Sequence, residues 1–500
     1  MTFMAIPIRK PGNALISNPN THSIMPIQTL NPYTNKVEQV FEPHTSEQID
    51  TVISTAHNAH LSWKNTPIAR RCELVSKLAN VLRDEADRWA RIPVIEMGKL
   101  YRESLDWEVD ICAQICEYYA KNGKKFMAPD TLKRSLLSGS TVVEKHPIGV
   151  LFGIMPWNYP YYQIFRFAIP NVIAGNTIIL KHASNVPQCG MAVEEMFKKA
   201  GFPEGVYTNV LVSGSKAAQL IEHPHVKGVS LTGSEAAGAK VAELAGKHLK
   251  KVVMELGGND PFIVLDDADI DYAVELGLLG RFFNTGQTCI ASKRFIIHEK
   301  VYDEFLTKFK AAFAYFQPGD PMEYKTMYAP MSSMAELDYL HQLVTKAQEQ
   351  GATLEAGGNR MPDLEGAWYA PTILANVTPD MDVYHQELFG PVAVFHKVAN
   401  DQEAIALAND SEYGLSSVVM SKDNKRADSV AQQLEAGMTF VNCPSITEPE
   451  TPFGGIKNSG YGRELGQMGL DEFINRKTVR KIPVWAFKML LKKQKKALMG

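Results

Sequence analysis

Five short apolar runs between residues 149 and 257 limit the fold of this chain more than any other feature. They read GVLFGI, NTIILK, TNVLVS, GVSLTG and VVMELG, and segments such as VPQCGMAVEEMFKKAG and SEAAGAKVAELAGKHLKK separate them with apolar residues at helical spacing. Each run is short and almost continuously apolar, which is the pattern of a strand covered on both faces. Strands alternating with crossover helices make a parallel sheet, and such sheets take ligands beyond the carboxyl ends of their strands. The alternation resumes with PFIVL, then a helix that Asp266 or Asp267 is expected to cap, then RFIIHE and YDEFLTKFKAAFAYF, and it continues to about Phe440. A chain of 500 residues exceeds what one hydrophobic core usually serves. Two α/β domains are expected, the second beginning near Gly257, with a site in the cleft between them.

The flanking segments read differently. Residues 38–121 are expected to be helical, with Ser46 and Pro67 as start signals. Residues 135–149, SLLSGSTVVEKHPIG, alternate over too short a length for a domain and are expected to project as a β ribbon. The C-terminal KIPVWAFKMLLKKQKKALMG sets Trp485, Phe487, Met489, Leu490 and Leu491 among Lys488, Lys492, Lys493, Lys495 and Lys496. Such a tail can be solvated, docked on another subunit or laid on an anionic membrane surface, but it is too short to span one.

Composition narrows the chemistry. A net charge of -3 leaves no broad basic surface for a phosphate backbone, so no nucleic-acid partner is expected. Six scattered cysteines do not make a disulfide framework. Cys112 and Cys116, four apart on one helix face, have no neighbouring ligands to complete a metal site, so packing is expected and no metal. The N-terminal MTFMAIPIRKPG lacks the pattern of a secretory leader, no long apolar stretch suggests a transmembrane segment, and a cytoplasmic location is expected.

Cys289 lies in FFNTGQTCIAS among small polar residues, between a helical pattern and a strand. Alone it would be a small core residue. Glu255 ends the run VVMELGG, where two glycines permit close backbone approach, and Asn158 follows another run in MPWNYP. A thiol, a carboxylate and an amide donor are the nucleophile, base and polarising group that chemistry at a carbonyl needs. A cofactor-independent cysteine esterase would need the same groups.

The motifs MPWNYP, LTGS, MELGGNDP, NTGQTC, QELFGP and PFGGIKNSGYGREL occur in the order and at about the separations found in NAD(P)-dependent aldehyde dehydrogenases. The chain resembles that family from about Asn31 to Val479. The resemblance implies an α/β fold with a Rossmann-type parallel-sheet cofactor domain (residues 1–130 and 148–256), an α/β catalytic domain (257–443) and a small β oligomerisation element with the tail (131–147 and 470–500). It implies attack of the Cys289 thiolate on an aldehyde, an oxyanion held by Asn158 and the Cys289 backbone N–H, and hydride transfer to nicotinamide. Glu255 is the implied base for hydrolysis of the resulting thioester. Cofactor contacts are implied for Trp157, Lys181, Gly233, Ser234, Glu387 and Phe389, and assembly as a homodimer or homotetramer.

Two positions refine this. Where NAD-selective members carry Lys-Pro-x-Glu this chain reads KHAS, so Ser184 replaces a carboxylate that repels a 2'-phosphate. NADP or NAD is the expected cofactor, with NADP admitted beside Lys181. Arg166 is similar to the arginine that takes the distal carboxylate in succinate-semialdehyde dehydrogenases; its alternative reading is a structural ion pair. A second arginine of some such enzymes is Phe283 here, leaving Gln163, Tyr162, Ser445 and Arg281 as further contacts. Succinate semialdehyde is the expected substrate, ahead of glutarate semialdehyde and uncharged aliphatic aldehydes.

Overall fold

A computed structural model describes residues 26–135 and 139–499. The N-terminal segment read above as lacking a leader, the first 25 residues of the expected cofactor domain and the tip of the expected ribbon (136–138) lie outside the described residues. The five apolar runs are strands β1 (Val150–Met155), β2 (Thr177–His182), β3 (Tyr207–Val210), β4 (Val226–Thr232) and β5 (Lys251–Glu255). They pair in parallel in the order β5-β4-β1-β2-β3, and Gly460–Tyr461 adds an antiparallel edge to β5. Every position of β2 is buried, as a strand covered on both faces requires.

The chain steps from β1 to β2 and β3 on one side, then returns to the other side of β1 for β4 and β5. This reversal opens a crevice at the carboxyl ends of β1 and β4, the place where parallel sheets bind ligands. Helix α1 (Tyr162–Ala174) follows β1 and is buried along its whole length, because its apolar residues leave no wet face. Helix α2 (Glu235–Lys247) follows β4 and is mostly exposed.

The second block forms a seven-stranded sheet in the order Thr353–Ala356, Thr372–Ala375, Val392–Val398, Ser292–His298, Asp260–Val264, Ser416–Met420, Met438–Val441. Its pairings are parallel except the first. A third sheet pairs Gly139–Pro147 with Asp130–Ser135 on one side and with Ile474–Lys481 on the other, all antiparallel.

Two local readings are corrected and one is refined. Residues 38–41 are not helical: Lys36–Phe41 pairs with Ile27–Asn31, and β-branched Val37 and Val40 suit that exposed hairpin. The helix expected to start at Ser46 does so, over Ser46–Trp63, but the capping side chain is that of Thr45, which accepts from the Gln48 N–H while Gln48 accepts from the Thr45 N–H. Asp269, not Asp266 or Asp267, caps helix Ile270–Phe282, since Asp266 pairs with Lys300 and Arg426 and Asp267 pairs with Arg426 and accepts from Ser421.

Among the described residues no helix is long and apolar enough to cross a membrane. Cys112 and Cys116 are fully buried in the apolar core around α1.

Candidate active site

The loop before Cys289 has an unusual backbone. Asn284, Thr285 and Gly286 have φ of 52°, 54° and 72°, three consecutive left-handed residues that include a β-branched one. The two that are not glycine cost about 1–3 kcal/mol each and persist only where their surroundings over-determine them. Here the surroundings do so. Glu103 accepts from the Asn284 N–H at 3.1 Å, Thr285 Oγ1 donates to the Ala329 carbonyl at 3.1 Å, and Arg281 donates to the Gly286 carbonyl at 2.9 Å. A Cβ at Gly286 would collide with the Gly390 carbonyl. Arg281 also donates to the Leu388 and Gly390 carbonyls, so this buried guanidinium fastens loops behind the site and is not a substrate contact.

Cys289 emerges from this turn into a cleft of about 820 Å³, counting its open mouth. The walls include Trp107, Tyr159, Tyr162, Phe283, Ile446 and Phe453, and among the described residues Arg166 is the one charged side chain that lines them. The cysteine is half-buried, yet protein surrounds the sulfur on most sides. A small molecule can reach it while bulk water solvates its anion poorly. Burial pushes the thiol up to about 12, opposed by the positive charges of Arg166 and Lys293.

Asn158 reaches the same turn from the end of β1. Its Nδ2 donates to the Gln287 carbonyl at 3.1 Å, its Oδ1 accepts from Gln163 Nε2 at 2.9 Å, and its backbone carbonyl accepts from Asn284 Nδ2 at 3.0 Å. Gln163 thereby fixes which end of the Asn158 amide faces the cysteine turn. Gln163 and Ser445 both line the cleft. Ser445 Oγ lies 3.3 Å from Ser416 Oγ.

Sequence reasoning missed the supports of this arrangement. Glu108 accepts from the first free N–H groups of α1, at Tyr161 (2.9 Å) and Tyr162 (3.0 Å), and pairs at 2.6 Å with Lys99. Both side chains are fully buried. The Lys99 ammonium also sits 3.6 Å from the centre of the Tyr159 ring, whose hydroxyl meets Thr288 at 3.0 Å. Burial pushes Glu103 up to about 7 and raises Glu108. The two glutamates stand five apart, a spacing an α-helix would splay. The π-helical turn Leu105–Asp110 bonds at i to i+5, and that spacing was the available signal.

Lys293 was also missed. Its buried ammonium bonds the carbonyls of Cys289 (2.6 Å) and Thr288 (3.1 Å) and pairs at 3.1 Å with Glu387. Glu387 also accepts from the Gly258 N–H at 3.1 Å. A Cβ at Gly257 would stand 2.6 Å from the Glu387 carboxylate, which explains the glycine pair after Glu255.

Glu255 is buried at the end of β5, and among the described residues neither carboxylate oxygen has a hydrogen-bond partner. Burial first, then the negative charge of Glu464, raise it well above the usual carboxylate range, against Arg166 and Arg463. Its Oε1 faces Gly454, where a Cβ would come within 2.6 Å. Glu255 itself is not among the residues that line the cleft, but its strand end abuts the cysteine turn: a Cβ on Gly258, three residues past Glu255, would lie 2.7 Å from the Cys289 carbonyl. Arg166 stacks over Phe453 at 4.1 Å and forms a buried ion pair with Glu464 through Nε. The alternative reading of Arg166 is therefore realised, although the residue also lines the cleft.

The crevice beyond β1, β2 and β4 gathers the residues expected to meet a dinucleotide. Trp157 and Phe389 pack edge to face with ring centres 5.7 Å apart. Lys181, at the end of β2, is buried and donates to the His182 carbonyl at 3.0 Å; among the described residues no carboxylate pairs with it. Burial alone pulls it down to about 8. A buried cation without a counter-charge is suited to an anionic ligand. Ser184 follows, half-buried, and Ser234 caps α2 beside Gly233, so the helix presents free N–H groups to the crevice. These residues fit a nucleotide. His182 is pulled down to about 4 by burial; its Nε2–H donates to the Pro160 carbonyl at 2.8 Å and its Nδ1 accepts from the Ala183 N–H at 2.9 Å. A proline could not tie the β1 loop to β2 in this way.

The aldehyde dehydrogenase family model matches residues 20–479. A succinate-semialdehyde dehydrogenase [NADP(+)] of Deinococcus radiodurans is 46% identical over 458 residues, 92% of this chain and 95% of that protein. The crystal structure of succinic semialdehyde dehydrogenase from Streptococcus pyogenes in complex with NADP+ superposes with a TM-score of 0.89 at 41% identity, covering 91% of this chain and 100% of that one. An aldehyde dehydrogenase from Bacillus cereus, solved as its NAD+ complex, gives a TM-score of 0.88 at 31% identity, covering 92% and 93%. With the family pattern spanning nearly the whole chain, this protein belongs to the aldehyde dehydrogenase family.

Proposed function

We propose that this enzyme oxidises succinate semialdehyde to succinate with NADP or NAD, NADP being preferred. The observation that carries the reading is a cysteine reachable from a cleft in which Arg166 is, among the described residues, the only charged lining residue. Lys181, Gly233, Ser234 and Ser184 would hold the adenosine half of the cofactor, and Trp157, Glu387 and Phe389 the nicotinamide half. When bound, the nicotinamide supplies the hydride acceptor.

The Cys289 thiolate adds to the aldehyde carbon, and the charge that develops on oxygen is met by Asn158 Nδ2 and the Cys289 N–H. Loss of hydride from that carbon leaves a thioester on Cys289. Glu255, raised by burial and unbonded, takes a proton from the water that cleaves it, releasing the acid and the thiolate. Arg166 holds the distal carboxylate, with Gln163 and Ser445 along the same wall.

Residues 1–130 and 148–256 are assigned to cofactor binding and 257–443 to catalysis. The sheet containing Ile474–Lys481 is assigned to assembly as a homodimer or homotetramer, and the sparse reduced cysteines support a cytoplasmic location.

A second reading, an uncharged aliphatic aldehyde, is favoured by Phe283 in the place of a second arginine, packed edge to face on Trp107 at 5.6 Å, and by the pairing of Arg166 with Glu464. Initial rates with succinate semialdehyde and with hexanal, each with NADP and NAD, separate the two. Arg166→Ala should lower kcat/KM for the charged aldehyde about 10- to 100-fold, the worth of a charge-assisted hydrogen bond, and leave hexanal nearly unchanged. Unaltered discrimination between the two aldehydes would defeat the succinate assignment, and retained hexanal turnover reports that the variant folds. Cys289→Ala should abolish both activities and spare cofactor binding.

A further inference from the structure

The family match ends at Val479, and the chain continues with a helix at Val484–Met499 that the proposed reaction does not use. Among its described side chains only Ala486 is buried. Val484, Trp485, Phe487, Met489, Leu490, Leu491 and Leu498 are all exposed, between 43% and 86%. Val484, Phe487, Leu490, Leu491 and Leu498 follow three- and four-residue spacing and share one half of the helix, while Lys488, Lys492, Lys493 and Lys495 fall on the other, together with Trp485 and Met489. Single exposed apolar residues need no explanation, but an exposed stripe along a helix does.

Charge identifies what covers it. From Val484 on, the chain holds five basic residues and no acidic one, although its net charge is -3. A symmetric contact with a second copy through the apolar stripe would leave the lysines facing solvent with no opposite charge to meet them. An acyl boundary beneath anionic headgroups accepts both halves at once: the apolar stripe enters the interface and the lysines meet the phosphates.

We propose that the C-terminal helix docks this enzyme on anionic lipid surfaces, peripherally and reversibly. Each lysine near such a surface strengthens binding by roughly fivefold and the effect is screened by salt. The full-length protein should therefore sediment with phosphatidylcholine vesicles containing phosphatidylglycerol and not with phosphatidylcholine alone. Replacing Lys488, Lys492, Lys493 and Lys495 by Gln should weaken that partition by about a hundredfold or more, and truncation after Lys481 should remove it. Turnover of the soluble aldehyde should be unchanged in both variants, since the helix lies outside the site. Light scattering of the intact and truncated chains gives the competing answer. Equal binding to both vesicle types, no binding to either, binding that survives truncation, or a change in assembly mass on truncation would each overturn the proposal.

Discussion

Gln163→Leu tests whether the cleft is arranged to stabilise an oxyanion. The glutamine donates at 2.9 Å to Asn158 Oδ1, and Asn158 is only 3% exposed. Leucine fills similar volume but strands that oxygen, and an unsatisfied buried acceptor costs about 1–3 kcal/mol. Turning the amide over offers no escape, because Oδ1 would then face the Gln287 carbonyl that Nδ2 now bonds. If that cost falls on the orientation needed in the transition state, kcat/KM drops by roughly 5- to 150-fold. Removing the donor itself, in Asn158→Ala, should cost about 10²- to 10³-fold, as deletion of an oxyanion donor does elsewhere. Steady-state formation of reduced cofactor, measured for both single variants and the double variant, closes the cycle. The double variant should be no slower than Asn158→Ala, because Gln163 acts through Asn158. Losses that multiply would refute this and would place Gln163 in direct contact with substrate.

Ser184→Glu restores a carboxylate beside the crevice that holds Lys181 and should lower kcat/KM with NADP at least about tenfold relative to NAD, since like charges brought together cost several kcal/mol; an unchanged cofactor ratio would remove Ser184 from the nucleotide site. Alkylation of Cys289 by iodoacetamide in the cofactor-free enzyme reports the thiol directly. With the group pushed up to about 12, the thiolate fraction grows about tenfold per pH unit across the neutral and mildly alkaline range, and the rate should rise without levelling. A plateau near the ordinary thiol value of about 8.5 would show that burial does not govern this sulfur.

Sequence determined a good deal about this protein. Strand runs of four to seven residues, separated from one another by helical periods, specified the parallel sheet, because a continuous apolar run is stable only between two covering layers. Motifs at or just past the carboxyl ends of β1, β2 and β5 singled out Asn158, Lys181 and Glu255, because ligands of a parallel sheet gather there, and Cys289 stood out in the loop before a strand of the second sheet. The strand at residues 38–41 was misread because a short exposed hairpin has no buried face to impose a period.

Only the tertiary structure decided how those groups are held. Glu103 and Glu108 reach Asn284 and the start of α1 across 181 and 53 residues of chain, and Lys293 joins Glu387 to the cysteine turn. It also decided that Arg166 meets Glu464 and that Arg281 turns away from the cleft. Hydrophobic period is a local property, repeated every two or three to four residues and legible in any window. A buried charge takes whatever partner the folded chain brings within reach, and no local pattern records that choice.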